Sequence, residues 1–321
     1  METRGEKMLA LRRARMAAAP PILRGGFRPF FLGGALWAVV ALVIWLVALA
    51  GYITIPSAFD ALAWHRHEML FGFVGAVIAG FLLTAIPNWT GRLPIAGVPL
   101  ASLVGLWMAG RLAMFSSAEL GPAIAAVIDV GFYLVLAAVA AREVIEANNR
   151  NVPIVGLVLL FGIANGLDHL AAAGIFVDPS LPWQLAVALV TLLISLIGGR
   201  IIPSFTRNWL AKAGVTNGLP GQPGRFDLIA IGLTALGLLA WIAAPPGWLP
   251  AMLLAIAAAA QSIRLVRWKG WKAARDPLVL ILHIGYAWVP IGLALLAASQ
   301  LGQLVPQSAS VHALTAGAMG T

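Results

Sequence analysis

Five histidines and no cysteine in 321 residues set the terms for any metal chemistry. Without thiols there is no disulfide, no thiolate metal site, no iron–sulfur cluster, and no thioether-linked haem, which needs Cys-x-x-Cys-His. A metal or haem iron would have to be taken by imidazole, carboxylate or methionine. The candidate ligands come in small groups. His65 and His67 bracket Arg66 and precede Glu68, while Asp168 and His169 are adjacent, with Asn165 on the same helical face. Arg111 and Asp129 lie in successive apolar stretches, and His283 is followed by Tyr286 and Pro290 on one face. His312 stands alone near the C-terminus. Neutral imidazole is the usual axial ligand to haem iron, and the fork of Arg66 or Arg111 matches a propionate carboxylate. Each group also has a structural reading. The His65/His67 pair is also explained as interfacial polarity and Asp168/His169/Asn165 as a hydrogen-bonded brace. Arg111 and Asp129 also fit a charge-balancing pair, and His283 a buried structural histidine.

The elements that must position these residues are set by composition. Apolar residues make up 61 % of the chain and charged ones only 10 %, against about 25 % charged in soluble proteins. The predicted class is all-α, a polytopic transmembrane helix bundle. Nine stretches are long enough to span a bilayer, at 31–52, 67–87, 98–115, 122–141, 153–175, 182–202, 226–244, 250–266 and 277–298. A tenth opens at His312 and is cut short at Thr321, which predicts a C-terminally truncated chain. Residues 1–30 read as a basic cytoplasmic tail without a signal peptide, and 31–321 as one transmembrane domain.

The net charge of +9 would suggest nucleic acid in a soluble domain. Here it is topological. With the N-terminus in the cytoplasm, all of the 21 Lys and Arg except Arg66 and Arg111 fall on the cytoplasmic side or its helix ends, where they orient the protein and meet anionic lipid. No nucleic-acid partner is expected.

This topology gathers the chemistry at one depth. His65, His67, Arg66, Glu68, Arg111, Asp129, Asp168, His169 and His312 all fall in the outer layer, and His283 lies toward the cytoplasmic end. Ionisable groups at bilayer depth are costly and mark function. Histidines at one depth on three helices suit metal or haem held between helices. His65 and His67 point about 160° apart on an α-helix. A helix that begins by Trp64 puts His65 on the face of the small residues Gly72, Gly75, Ala76 and Ala79, and His67 elsewhere. One that begins at His67 leaves both free.

Two internal matches appear. Ile86-Pro-Asn-Trp-Thr90 resembles Ile202-Pro-Ser-Phe-Thr206, and His67-x4-Gly72-x2-Gly75 matches His312-x4-Gly317-x2-Gly320. They suggest a pseudo-repeat of four-span units, against the alternative that biased composition produces such matches by chance.

The segments Gly26-Phe-Arg-Pro-Phe-Phe31, Trp64-His-Arg-His-Glu-Met-Leu-Phe-Gly72, Gly80-Phe-Leu-Leu-Thr-Ala-Ile-Pro-Asn-Trp-Thr-Gly91 and His312-Ala-Leu-Thr-Ala-Gly317 closely resemble the NnrS family. The likeness runs along essentially the whole chain. It implies a bacterial inner-membrane protein that contains haem and copper and protects against nitric oxide. Family members look longer, with about twelve spans. The resemblance places His65, His67 and His312 at the family's histidine positions.

Two functions from different classes follow. One is a membrane protein holding non-covalent haem b, and also copper, that relieves nitrosative stress by meeting nitric oxide or iron-nitrosyl species. On this reading the cofactor ligands are His65, His67, His169 and His312 with Arg66 and Arg111, and the metal ligands His65, His67, His312 and His283. Glu68, Asp129, Asn165, Asp168 and Tyr286 form the supporting polar network. The other is a transporter of a small solute or metal ion. Against it, the inner half is polar only at His283, Tyr286 and the Thr191/Ser195 face. A full haem–copper oxidase core needs about six histidine ligands, more than the chain has. No residue pattern names a reaction, an electron donor or an oligomeric state.

Overall fold

The computed structural model describes residues 4–175, 177–302 and 305–321. Among them the chain is helical without strands, and nine helices are long and apolar enough to cross a membrane. After a short helix α1 (Arg4–Ala17) come α2 (Phe27–Leu49), α3 (Ala61–Thr90), α4 (Val98–Phe115), α5 (Pro122–Glu146) and α6 (Val152–Ala172). Then follow α7 (Leu181–Lys212), α8 (Arg225–Ala243), α9 (Trp248–Arg267) and α10 (Pro277–Ser299). The last element, α11 (Gln307–His312), continues as a π-helix over Ala313–Met319. The protein is therefore a multi-span helical membrane protein, as the composition requires.

Local chemistry explains the boundaries. Prolines stand in the first turn of α4, α5, α6 and α10, where a missing N–H costs nothing. Asp60 caps α3, its Oδ1 accepting from the Leu62 and Ala63 N–H groups at 3.0 and 2.9 Å, so the helix starts six residues before the hydropathy does. Gly91 closes it with φ 74°, its N–H bonded to the Pro87 carbonyl at 3.1 Å. The sequence reading ends the sixth span at 202, before Pro203, but α7 runs through that proline to Lys212. A lone proline inside a membrane helix is tolerated because nearby groups satisfy the freed backbone. The N-terminal segment carries the helix α1, and the Arg12 guanidinium donates to the Pro87 carbonyl and, at 3.0 Å, to that of Arg92. It thereby satisfies carbonyls at the C-terminal end of α3.

The chain divides into two compact units, Met1–Ala186 and Val187–Thr321. In the first, α2 packs on α3, α3 on α5, α4 on α5, and α5 on α6; in the second, α8 packs on α9, α9 on α10, and α10 on α11. Small residues permit the close approaches that membrane helices need. A Cβ on Gly237 would lie 3.1 Å from the Leu253 carbonyl oxygen, and one on Gly34 3.1 Å from the Ala76 methyl. The opposite helix faces carry exposed aliphatics such as Leu36, Val39 and Leu49 of α2, the surface that lipid solvates.

Candidate metal centre in the first unit

The site begins with an irregularity in α3. Residues Glu68–Val74 are π-helical, with i→i+5 hydrogen bonding. Two neighbouring helices supply the donors that hold this wide turn. The Tyr133 hydroxyl of α5 donates to the Phe71 carbonyl, and Trp107 Nε1 of α4 donates to the Gly72 carbonyl at 3.0 Å. The turn breaks the regular helical phase directly after His67. Although α3 begins well before Trp64, His67 is the buried histidine, with no exposed surface, and His65 is half-buried. The small-residue stripe cannot be projected back onto His65 because it lies across the π-turn. His65 instead stacks on Trp45 of α2, ring centroids 4.0 Å apart.

His67 is set between two carboxylates. Its Nδ1 lies 2.9 Å from Asp168 Oδ2 of α6, and its Nε2 lies 2.9 Å from Asp129 Oδ2 of α5. Carboxylates only accept, so in this arrangement either the ring carries both protons or one carboxyl carries one. The same Asp129 oxygen also takes Asn165 Nδ2 at 2.7 Å and faces His169 Nε2 at 3.2 Å. Arg111 of α4 is fully buried. It pairs with the other Asp129 oxygen and, at 2.7 Å, with Glu68 Oε2, which also accepts from Trp37 Nε1 of α2 at 2.5 Å. Arg66, at the margin, reaches Asp168 at 3.5 Å. Two guanidinium groups thus face three carboxylates around two imidazoles. Glu68 Oε1, Arg111 Nε and Asn165 Oδ1 are buried without a hydrogen-bond partner among the described residues.

The predicted residues Arg66, His67, Glu68, Arg111, Asp129, Asn165, Asp168 and His169 are therefore brought into one network from four helices. Within it, His67, His169 and Asp129 each offer one ligand atom, all within 4.8 Å of one another. Two imidazoles and one carboxylate are a donor set for divalent iron, copper or zinc. Asp168 on the far nitrogen of His67 is the orienting partner that metal-binding histidines have.

A porphyrin does not fit at this place. A macrocycle set across Nε2 of His67 or His169 would occupy the position of Asp129. Phe59 and Phe71 close the His67 ring at 5.2 and 5.0 Å, and Phe59 covers His169 at 5.4 Å. A single ion suits the group; haem does not.

A cavity of about 370 Å³ adjoins the network. It is lined by Arg66 and Asp168, by Phe59, whose ring also contacts both imidazoles, and by Asp60, Ala63 and Pro179. Phe59, Trp37, Trp107 and Tyr133 were not singled out in the sequence, since apolar or aromatic residues at helical spacing read as core. The one available signal was Trp107 standing four residues before Arg111 on the same face.

The remaining predicted residues lie in the second unit. His283 Nε2 is 2.9 Å from Thr206 Oγ1, whose own proton goes to the Ile202 carbonyl at 2.8 Å, so the histidine donates. Tyr286 belongs to a second buried network. Arg264 Nε bonds Asp227 Oδ1 at 2.7 Å, and its Nη1 reaches the Ser195 carbonyl at 2.8 Å and Tyr286 Oη at 3.0 Å. Gln261 donates to Ser195 Oγ at 2.7 Å and to Thr234 Oγ1 at 2.8 Å, and accepts from the Tyr286 hydroxyl at 2.7 Å. Sequence reasoning counted Arg264 with the orienting basic residues and missed Asp227, Thr234 and Gln261. Its spacing to Gln261 and Trp268, three and four residues, was the signal. His312 is exposed, with Nδ1 2.7 Å from the Ser308 carbonyl.

Fold and site together define a polytopic helical membrane protein with a buried histidine–carboxylate group able to hold a metal ion. The family model described as NnrS protein matches residues 21–321, and the chain belongs to the NnrS family. No curated protein and no solved structure matches it.

Proposed function

We propose that this protein is a metal-holding component of the defence against nitric oxide in a bacterial inner membrane, with its N-terminus cytoplasmic and the first unit's centre toward the outer face. The observation that carries the reading is the convergence of His67, His169 and Asp129 in the membrane-spanning part of an NnrS-family chain. These three residues hold the ion, copper by the family resemblance, and a metal ion so held supplies a site where nitric oxide binds. Asp168 and Asn165 orient the imidazole and the carboxylate. Arg111 neutralises Asp129 and Glu68, and Phe59 and Phe71 keep bulk water from the ring faces. The cavity beside Phe59 gives a small ligand its approach. Haem b, which the resemblance also implies, is carried on a histidine outside this group. Nitric oxide or an iron-nitrosyl species is the partner, and lipid the surroundings.

The test uses the full chain purified from membranes in detergent. Metal analysis and optical and electron paramagnetic resonance spectra are recorded before and after nitric oxide. His67→Ala and His169→Ala are expected to remove one metal equivalent and the spectral response. A wild-type protein with no bound metal, or variants that keep it, would overturn the reading. A wild-type spectrum without a Soret band would remove the haem from it.

A further inference from the structure

Nine of the 21 Lys and Arg residues but only two of the 12 Asp and Glu fall in Val187–Thr321, so seven of the nine net positive charges belong to the second unit. Both of its carboxylates are already engaged. Asp227 accepts from Arg264 and from the Gly224 N–H at 2.9 Å, and Asp276 caps α10 through the N–H groups of Leu278 and Val279 at 2.9 and 3.0 Å. In the first unit, by contrast, Arg92 and Arg142 are paired with Glu143, and Arg92 also with Glu146. Arg267, Lys269 and Lys272 of the second unit have no carboxylate partner among the described residues.

These three cations stand where α9 ends. Arg267 is its last residue, and a short 3-10 helix over Gly270–Ala273 follows. Lys269 has φ 55°, a left-handed conformation costly to an L residue. The chain thereby turns so that the Gly270 backbone seats on His283, where a Cβ would lie 2.5 Å from Nδ1. Lys269 Nζ donates to the Gly218 carbonyl at 2.8 Å, which leaves two of its three protons for another acceptor. Lys272 Nζ reaches the same glycine: a Cβ there would be 3.3 Å from it and 3.9 Å from Lys269 Nζ. Two ammonium groups held at one point repel each other, and an anion between them replaces that repulsion by attraction. Trp271, 61 % exposed, separates them in sequence, and tryptophan settles at headgroup depth.

A groove of about 580 Å³ runs between α9 and α10. Ala255, Ala259, Ser262 and Val266 line it on one side and Pro290 and Ile291 on the other. The Ser262 hydroxyl is bonded to the Ala258 carbonyl at 2.9 Å, so the wall asks for no polar partner. At Val266 the groove ends one residue before Arg267 and three before Lys269, within one helical turn of the cations. An apolar channel that ends at unneutralised cations matches the two parts of an anionic phospholipid, tail and phosphate. Lipid tails are as apolar as alanine, so the groove supplies shape and the cations supply affinity.

We propose that the second unit holds one anionic phospholipid, its phosphate on Lys269 and Lys272 with Arg267 beside them and an acyl chain in the groove between α9 and α10. This is a discrete site, in contrast to the diffuse attraction that any basic membrane loop exerts. Native mass spectrometry of the full-length chain in detergent is run in separate arms with phosphatidylglycerol, phosphatidylcholine and inorganic phosphate. The wild type is expected to retain one phosphatidylglycerol and to hold it about tenfold or more above phosphatidylcholine, with inorganic phosphate too weak to compete. Lys269→Gln with Lys272→Gln should bring phosphatidylglycerol down to the phosphatidylcholine level. Ala259→Phe, which fills the exposed groove, should weaken both lipids several-fold. Arg13→Gln with Arg15→Gln removes the same charge from exposed positions of α1 and should leave the retained lipid in place. Unchanged helical circular dichroism should accompany each variant. Equal losses in the two double variants would reduce the effect to diffuse attraction and overturn the proposal. So would equal retention of the two lipids, displacement by inorganic phosphate, or a lipid-free dimer that Ala259→Phe splits.

Discussion

Arg111 and Arg264 are both buried and both bonded to an aspartate on a neighbouring helix. Their surroundings differ in charge. Arg264 meets one carboxylate, and its other partners are a serine, a glutamine and a tyrosine, all neutral. Donors and acceptors match there, and no member of that network is left with an unbonded buried atom among the described residues. Arg111 stands between two carboxylates, with a third close by, two histidines within reach, and orphaned atoms on Glu68, Asn165 and Arg111 itself. Satisfied networks brace a bundle, whereas networks with surplus ligating atoms bind something. By that criterion the Arg111 network is the candidate site and the Arg264 network its structural counterpart.

The comparison breaks most visibly when the cations are removed. Arg111→Ala leaves Glu68 and Asp129 buried without their cation and is expected to cost about 3–5 kcal/mol or to prevent folding. Replacing Arg264 and Asp227 together by leucines removes both partners at once and should change stability little, or raise it. Thermal unfolding in detergent measures both. A double leucine variant as unstable as Arg111→Ala would show that the second network is more than a brace. Asp168→Asn should come next. It leaves the ligands in place but weakens the orienting acceptor on His67, which is expected to lower metal affinity about 10- to 100-fold. Asp227→Asn should leave metal affinity where it was, and equal losses in both variants would erase the distinction between the two networks.

Glycines sharpen it further. A methyl on Gly72 would lie 2.6 Å from Glu68 Oε2 and 2.8 Å from Arg111 Nη1, and one on Gly199 would press on the Arg264 guanidinium. Each Gly→Ala change should destabilise by about 1–3 kcal/mol through overpacking. Only Gly72→Ala should also weaken metal binding, because only there does the displaced group belong to the ligand network. Metal titration of the two variants at matched temperature checks this.

Much of this was legible in the sequence. Nine spans follow from hydropathy and length, because a membrane helix announces itself by its run of apolar residues. Eight of the charged and polar residues of the first network could be named, because ionisable groups are too rare at that depth to be incidental. The phase of His67 could not be read. It depends on a π-turn held by Tyr133 and Trp107 from other helices, and an α-helical projection assigns the buried face to His65 instead. Arg264 was hidden for a related reason. An arginine in the last turn of an apolar helix fits the positive-inside pattern equally well whether it points outward or inward, and only packing decides.

The smallest expected effect concerns approach rather than affinity. Phe59 lines the cavity and lies edge-on to both His67 and His169. Trp268 covers Arg264 in the second unit at a comparable 5.3 Å. If Phe59 is the barrier between cavity and ligands, Phe59→Leu, which keeps most of the apolar volume but removes the planar ring, should speed loading of the metal-free protein several-fold. Equilibrium affinity should barely change, since no ligand or orienting bond is touched. Trp268→Leu removes a ring of the same kind from a network that has no such ligand group among the described residues, so it should leave the loading rate alone. Stopped-flow copper uptake separates the cases. Acceleration by Phe59→Leu alone places the route at the cavity, and equal rates in all three proteins would mean that ions reach His67 and His169 by a path that does not pass Phe59.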